Sequence, residues 1–128
     1  LSAAAFQGAP VVTQDVDIWF ENIGDPGIGE ALKSVGGTFV PSIGENPPMF
    51  AGDGVNLFDI VTTVHGIEGF AVELSNTIEV SLGDFSVKAL KLDRIIKSKE
   101  YLRRQKDMLV LPVLRDALKT IEHLEKKK

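Results

Sequence analysis

Cysteine is absent from this chain of 128 residues, and tryptophan and tyrosine occur once each. Without cysteine there are no disulfides, no thiolate metal sites and no cysteine nucleophile. Carboxylate oxygens and the two histidines, His65 and His123, are then the candidate metal ligands. The histidines show no ligand spacing with each other, and we expect both to be structural. Any bound metal is expected to be a hard cation such as magnesium.

Long hydrophobic runs are also missing. No apolar stretch approaches the ~18 residues needed to span a bilayer. Residues 1–6 have neither a basic leader nor enough apolar length for a signal peptide. We therefore expect a cytoplasmic protein that does not enter a membrane. With 44% hydrophobic and 25% charged residues, the chain fits one globular domain over residues 1–128.

Positive charge is scarce in the first 90 residues. Twelve acids there accompany only Lys33 and Lys88, whereas the remainder carries twelve bases and six acids. An acidic sheet region followed by a basic helical tail would allow metal and phosphate to be bound from opposite sides. Lysines on folded helices are equally often exposed for solubility alone, so both interpretations stay open.

The spacing of apolar residues predicts a mixture of helices and strands. Helices are expected at 2–7, at 28–35 and twice after Leu90. Strands are expected at 11–20, 38–40 and 55–64, with a hairpin of 77–80 and 85–88 at a sheet edge. Pro112 should either start or kink the last helix. Residues 41–54 contain three prolines and three glycines, which predicts a loop acting as a lid or a connector.

Two aspartates lie inside the first expected strand. Side chains alternate along a strand, so Asp15 and Asp17 project to one side while Val16 and Ile18 project to the other. Two like charges side by side are unfavourable unless a cation, a basic group or water offsets them. The pair therefore indicates either half of a divalent-metal site or a solvated strand face. Asp59 is a further lone acid in the core-like strand 55–64.

Four segments in order resemble the minimal nucleotidyltransferases, small prokaryotic proteins of the DNA polymerase β-like superfamily that include toxin–antitoxin transferases. The family has a short alanine-rich helix ending in glycine, then Thr-x-Asp-hydrophobic-Asp. A third aspartate in a hydrophobic strand follows, and then a lysine with Arg-x-Lys-Asp. The corresponding segments here are 2–8, 13–17, 57–61, and Lys99 with 104–107. The resemblance covers nearly the whole chain, although each motif is short.

The resemblance implies an α+β fold, a nucleotidyltransferase-like mixed β-sheet flanked by helices, with further helices at the C-terminus. It implies magnesium-dependent transfer of a nucleoside monophosphate from a triphosphate such as ATP to a hydroxyl on a protein, an RNA or a small molecule. A catalytically inactive member that binds nucleotide or a partner, as a toxin–antitoxin component, is the alternative. An oligomer or a complex with a partner protein is compatible with either function.

The resemblance also assigns roles to single residues. Asp15 and Asp17 would chelate magnesium, and Asp59 would complete the set and help to deprotonate the attacking hydroxyl. The alternative for Asp59 is a partly solvated acid at a strand end. The residues at the family's nucleotide-binding positions are Thr13, Lys99, Arg104 and Lys106. The three cations among them would contact phosphate or fix the carboxylate face, or they are ordinary exposed charges. Asp107 is a candidate helix N-cap.

The chain departs from the family pattern in two places. A Gly-Gly or Gly-Ser pair precedes the first helix in the family, where backbone N–H groups approach the triphosphate. This sequence starts at Leu1, where that pair would stand, so we expect an upstream strand and glycine pair to be missing from it. The family often has a basic residue ahead of the first two aspartates, where this chain has Val11 and Val12.

Overall fold

The computed structural model describes residues 1–11, 15–55, 57–84 and 86–126. Its contacts divide the chain into a terminal unit, Leu1–Thr13 with Val64–Lys128, and a central unit, Gln14–Thr63. In chain order the elements are α1 (Ser2–Phe6), β1 (Val16–Trp19), α2 (Pro26–Ser34), β2 (Thr38–Val40), β3 (Met49–Ala51), β4 (Phe58–Val61), α3 (Phe70–Glu73), β5 (Thr77–Ser81), β6 (Ser86–Leu90), α4 (Leu92–Leu102) and α5 (Gln105–Lys126). The predicted mixed α+β class is confirmed, and the single-domain organisation stays a prediction.

The strands of the central unit pair two by two. β1 and β4 are parallel, with Val16 opposite Phe58 and Trp19 opposite Val61. β2 and β3 are antiparallel, with Phe39 opposite Phe50. Both β1 and β4 have four residues, so the strand predicted over 55–64 is too long. Residues 12–14 of the other predicted strand lie outside the described ranges.

Helix α2 begins where local chemistry favours a helix start. The Asp25 carboxylate accepts a hydrogen bond of 2.8 Å from the backbone N–H of Gly27, and Pro26 occupies the first helical position. Gly36, with a φ of 74°, follows the end of the helix. Leu32 anchors the helix in the core of the central unit.

Strand β3 lies inside the stretch that the prolines and glycines predicted to be a loop, so that prediction is wrong at 49–51. The reason is Phe50, which is buried with Leu32 and Val55. Its ring meets that of Phe20 edge-on, with centroids 5.8 Å apart. Burial of a large ring therefore orders a segment with weak local preference.

The core of the terminal unit lies between α1, α4 and α5. Its buried side chains are small or aliphatic: Ala4, Ala9, Leu92, Ile95, Ile96, Leu111 and Leu114. The Gln7 side chain, just after α1, forms hydrogen bonds at the junction of β6 and α4. Its amide donates to the carbonyl of Leu90 at 2.7 Å and accepts from the backbone N–H of Leu92 at 3.0 Å.

The hairpin and the two late helices lie where the sequence predicts them. The hairpin is not the edge of a larger sheet, however, because among the described residues β5 and β6 pair only with each other. β5 and β6 pair antiparallel from Thr77 opposite Leu90 to Ser81 opposite Ser86. Arg103 adopts a left-handed conformation, with φ 51° and ψ 32°, and so ends α4. α5 begins at Gln105, and Pro112 lies in its interior, so Pro112 does not start the helix. Within the described ranges, no helix combines the length and the apolar character needed to cross a membrane.

Candidate metal and nucleotide site

Asp17 and Asp59 stand side by side on the parallel pair of strands. They are register partners in β1 and β4, and partnered residues in a sheet project to the same face. Asp15 precedes β1 by one residue. All three aspartates are exposed. Asp15, Asp17 and Asp59 were identified from two separate segments of the sequence, and all three therefore lie in the central unit.

The three carboxylates interact electrostatically. The pKa of Asp59 is raised, first by partial removal of its carboxyl from water and then by the negative charges of Asp15 and Asp17. Such mutual repulsion is relieved by a bound cation. The arrangement is therefore an acidic face that attracts a positively charged ligand.

The chemistry of the three side chains suits a hard cation, because carboxylate oxygens are the ligand type that magnesium prefers, with water completing its coordination shell. Among the described residues, however, no group of three or more His, Asp and Glu side chains is placed so that it could hold a metal ion. Magnesium binding by Asp15, Asp17 and Asp59 therefore stays a prediction.

A cleft of about 470 Å³ lies beside Asp59 in the central unit. Its lining residues come from β4, namely Phe58, Asp59 and Ile60, and from the segment 40–49. That segment contributes Pro41, Pro47 and Pro48 together with the apolar side chains of Ile43 and Met49. The proline-rich stretch between β2 and β3 thus forms one wall of a mostly apolar cleft that Asp59 also lines.

Lys99 and Arg104 are both engaged with Asp107 in the terminal unit. Asp107 is fully buried and lies 2.7 Å from Arg104 Nε and 3.3 Å from Lys99 Nζ. Its carboxylate also accepts a hydrogen bond of 3.0 Å from the backbone N–H of Arg104. The Arg104 guanidinium, the backbone N–H of Arg104 and the Lys99 ammonium outweigh burial and hold the pKa of Asp107 at about 2.

This geometry assigns Asp107 a capping role. Asp107 is the third residue of α5 and reaches back to the N–H of the residue that precedes the helix, as the acid of a capping box does. The N-cap interpretation from the sequence is therefore wrong in position, because α5 begins two residues before Asp107. Lys106 is exposed. Contact of Lys99, Arg104 and Lys106 with nucleotide stays a prediction, and Thr13 lies outside the described residues.

The sequence analysis did not identify the ion pair between the buried Glu73 and the partly buried Arg94. Arg94 Nε donates to Glu73 Oε1 at 2.8 Å, and Arg94 Nη2 donates to Oε2 at 2.6 Å. Glu73 also accepts from the side-chain amide of Asn76 and the backbone N–H of Glu68. These bonds, led by those from Arg94, lower the pKa of Glu73 to about 2. The available signal was an acid inside the apolar run 70–74.

Comparison of the chain with known protein families, with curated proteins and with solved structures gave no match. The assignment of a function therefore depends on the residues themselves. The best candidate for a functional site is the acidic face of Asp15, Asp17 and Asp59. Its members come from separate segments of the chain, and the charges of Asp15 and Asp17 contribute to the raised pKa of Asp59.

Proposed function

We propose that this protein is a magnesium-dependent nucleotidyltransferase, which transfers a nucleoside monophosphate from a nucleoside triphosphate to a hydroxyl. The register pairing of Asp17 with Asp59, with Asp15 close enough to influence Asp59, is the observation that supports this proposal most strongly. The order of the four sequence motifs adds to it. A nucleotidyltransferase-like arrangement of the sheet is part of the same proposal.

In this proposal the three acids have different roles. Asp15 and Asp17 hold the cation, which supplies charge neutralisation to the phosphate oxygens when it is bound. Asp59 accepts the proton of the attacking hydroxyl. Its raised pKa favours that role because a stronger base accepts a proton more readily.

The basic side chains Lys99, Arg104 and Lys106 have two different roles. Lys99 and Arg104 are paired with Asp107 and stabilise the start of α5, so they are positioning residues. Lys106 is exposed, and the family resemblance alone retains it as a candidate for nucleotide binding. Thr13 is retained as a nucleotide-binding candidate because of its position in the Thr-x-Asp-x-Asp motif.

A catalytically inactive protein of the same fold, which binds nucleotide or a partner as a toxin–antitoxin component does, is the second candidate. Two observations favour it: the ligand set is open within the described ranges, and Lys99 and Arg104 are paired with Asp107. Turnover separates the two functions. An inactive protein binds triphosphate with magnesium but transfers no label.

The test is incubation of the full chain with magnesium, a cell extract and labelled ATP, CTP, GTP or UTP in turn. We expect label to appear on a macromolecule or small product with at least one nucleotide, and to be lost with D15N/D17N. The matched control is Asp53→Asn, which removes an exposed acid of the central unit outside the candidate site. Binding without transfer supports the inactive alternative, and absence of magnesium-dependent binding rejects both the transferase and the inactive nucleotide-binding protein.

A further inference from the structure

The cleft beside Asp59 is an apolar space next to the acidic face. Its volume of about 470 Å³ lies within the usual range of small-molecule sites. Among the described residues that line it, only Asn46 and Asp59 have polar side chains. The part of a ligand that enters the cleft is therefore largely apolar and carries no negative charge, which Asp59 would repel.

The apolar walls of the cleft suit a flat ring. Pro41, Pro47 and Pro48 lose no side-chain rotamer freedom when a ligand covers them, so packing on them has a low entropic cost. The thioether of Met49 makes favourable contacts with aromatic rings. Phe58 of β4 adds an aromatic ring to the lining. An aromatic heterocycle is the ligand class that these side chains favour.

Asn46 supplies a polar edge to the cleft. Its backbone is held in a turn, where its N–H donates to the carbonyl of Ile43 at 3.0 Å and its carbonyl accepts from the Ser42 hydroxyl at 2.8 Å. Its side chain is exposed and, within the described ranges, its amide forms no hydrogen bond. An amide presents a donor and an acceptor side by side. Adenine offers the complementary donor and acceptor on one edge, whereas guanine offers two acceptors there.

The geometry points to the cleft as the binding site of the nucleobase, with adenine selected by the Asn46 amide. This inference rests on the proposed function and names its nucleotide. Asp59 lines the cleft and is the register partner of Asp17, so the phosphates attached to a base in the cleft lie within reach of the acidic face. The base and the triphosphate then occupy adjoining sites, whose binding is measured separately.

The test titrates the full chain with adenosine, guanosine, cytidine or uridine, without magnesium, and follows the NMR signals of the protein. Nucleosides carry no phosphate, so their binding does not depend on a cation at the acidic face. We expect the signals of Ile43, Asn46 and Met49 to shift, and adenosine to bind about five-fold more tightly than the other three. Equal binding of the four nucleosides, or shifts confined to residues outside the cleft, overturns the inference.

Asn46→Ala should weaken adenosine binding about five-fold and remove the preference for adenosine over guanosine. Glu45→Ala is the matched control, because Glu45 is the exposed neighbour of Asn46 and lies outside the cleft lining. Adenosine binding to this control should stay within about two-fold of the original chain. A preference for adenosine that survives Asn46→Ala, or an equal loss in the two variants, overturns the inference.

Ile43→Ser separates the walls of the cleft from its polar edge. Ile43 lines the cleft and is 66% exposed, so this substitution removes apolar contact area without opening the core of the central unit. It should weaken the binding of all four nucleosides by about three-fold and leave the preference for adenosine in place. Unchanged binding of adenosine to Ile43→Ser contradicts a base in the cleft.

Magnesium-dependent binding of ATP, measured in parallel, separates this inference from the transferase proposal. If ATP binds with magnesium but leaves the signals of the cleft residues unchanged, the base site is rejected and the transferase proposal stands. If adenosine occupies the cleft but ATP with magnesium binds no more tightly than adenosine does, the transferase proposal is rejected and the base site stands.

Discussion

Asp17 of β1 and Asp59 of β4 are register partners in a parallel pair, so their carboxylates share one face of the sheet. Neighbouring like charges on paired strands are destabilising unless something else offsets them. The pKa of Asp59 is raised, first by partial removal of its carboxyl from water and then by the charges of Asp15 and Asp17. Cation binding is the role that we propose for this localised negative charge.

The pKa of Asp59 should fall when its neighbours lose their charge. In the double variant D15N/D17N it should move toward the ordinary value without reaching it, because the partial removal of Asp59 from water remains. Titration of the side-chain carboxyl carbon by NMR measures this change. Asp53→Asn should leave the pKa of Asp59 where it is, and an equal shift in both variants would contradict direct coupling.

Loss of the Asp107 carboxylate should strongly destabilise the terminal unit. Asp107→Ala leaves the paired groups of Lys99 and Arg104 and the N–H of Arg104 without their acceptor. Because the Arg104 side chain is 48% exposed and can be hydrated, the cost is that of the lost charge-assisted hydrogen bonds and of the cap, about 2 kcal/mol. Urea unfolding measures the difference in the free energy of unfolding.

Asp116→Ala is the control for that prediction, because Asp116 is an exposed acid on the same helix. It should change the free energy of unfolding by about 0.5 kcal/mol or less. Equal effects of the two substitutions would show that Asp107 stabilises the protein no more than a surface acid does.

Acid should unfold the protein through Glu73 and Asp107. Their pKa values of about 2 lie below the ordinary values of 4.5 and 3.8, so folding is favoured while both are ionised. Their contribution is complete above about pH 6 and is lost as the pH falls from about 5 to 2, by about 3 kcal/mol for Glu73 and about 2 kcal/mol for Asp107. Asp59 opposes this trend, since a raised pKa makes protonation favour the folded state.

Urea midpoints measured between pH 7 and pH 2.5 check this sign. The double variant E73Q/D107N should be less stable at pH 7 and should lose less stability on acidification. Two results would contradict the assignment to these two acids. One is a urea midpoint that rises as the pH falls, and the other is a pH dependence of the midpoint that is the same in the variant as in the original chain.

Gly66→Ala should be more damaging than Gly83→Ala. Both glycines have a left-handed φ, 86° and 82°, so each alanine carries a backbone cost of about 1 kcal/mol. A methyl group at residue 66 would also collide with Tyr101, whereas residue 83 has open space. We expect a total of about 2–3 kcal/mol for Gly66→Ala in thermal or urea unfolding. Equal losses of stability in the two variants would mean that the Tyr101 side chain moves aside without a cost in free energy.

The sequence predicted the local features of the candidate site better than its pairings. Alternation along a strand requires Asp15 and Asp17 to point to the same side in extended backbone. Placement of Asp59 beside Asp17 depends on the register of β1 with β4, which no local pattern specifies. Only the family resemblance suggested that Asp59 belongs with the other two acids.

Buried charges were harder to recognise than buried apolar residues. The stripe of Leu92, Ile95 and Ile96 marks a core face by its spacing alone. Glu73 looks like a surface charge in the sequence, because Arg94, the partner that makes its burial favourable, lies in a different helix. Strand β3 was missed for a similar reason, since the burial of Phe50 depends on Phe20 and Leu32.

The most direct test of the acidic face is paramagnetic broadening by Mn²⁺ in the presence of a non-hydrolysable triphosphate. We predict that Mn²⁺ selectively broadens the backbone amide signals of Asp15, Asp17 and Asp59, that Mg²⁺ reverses the broadening, and that D15N/D17N abolishes it. Uniform weak broadening across the chain, or selective broadening that persists in D15N/D17N, would contradict a shared cation on this face.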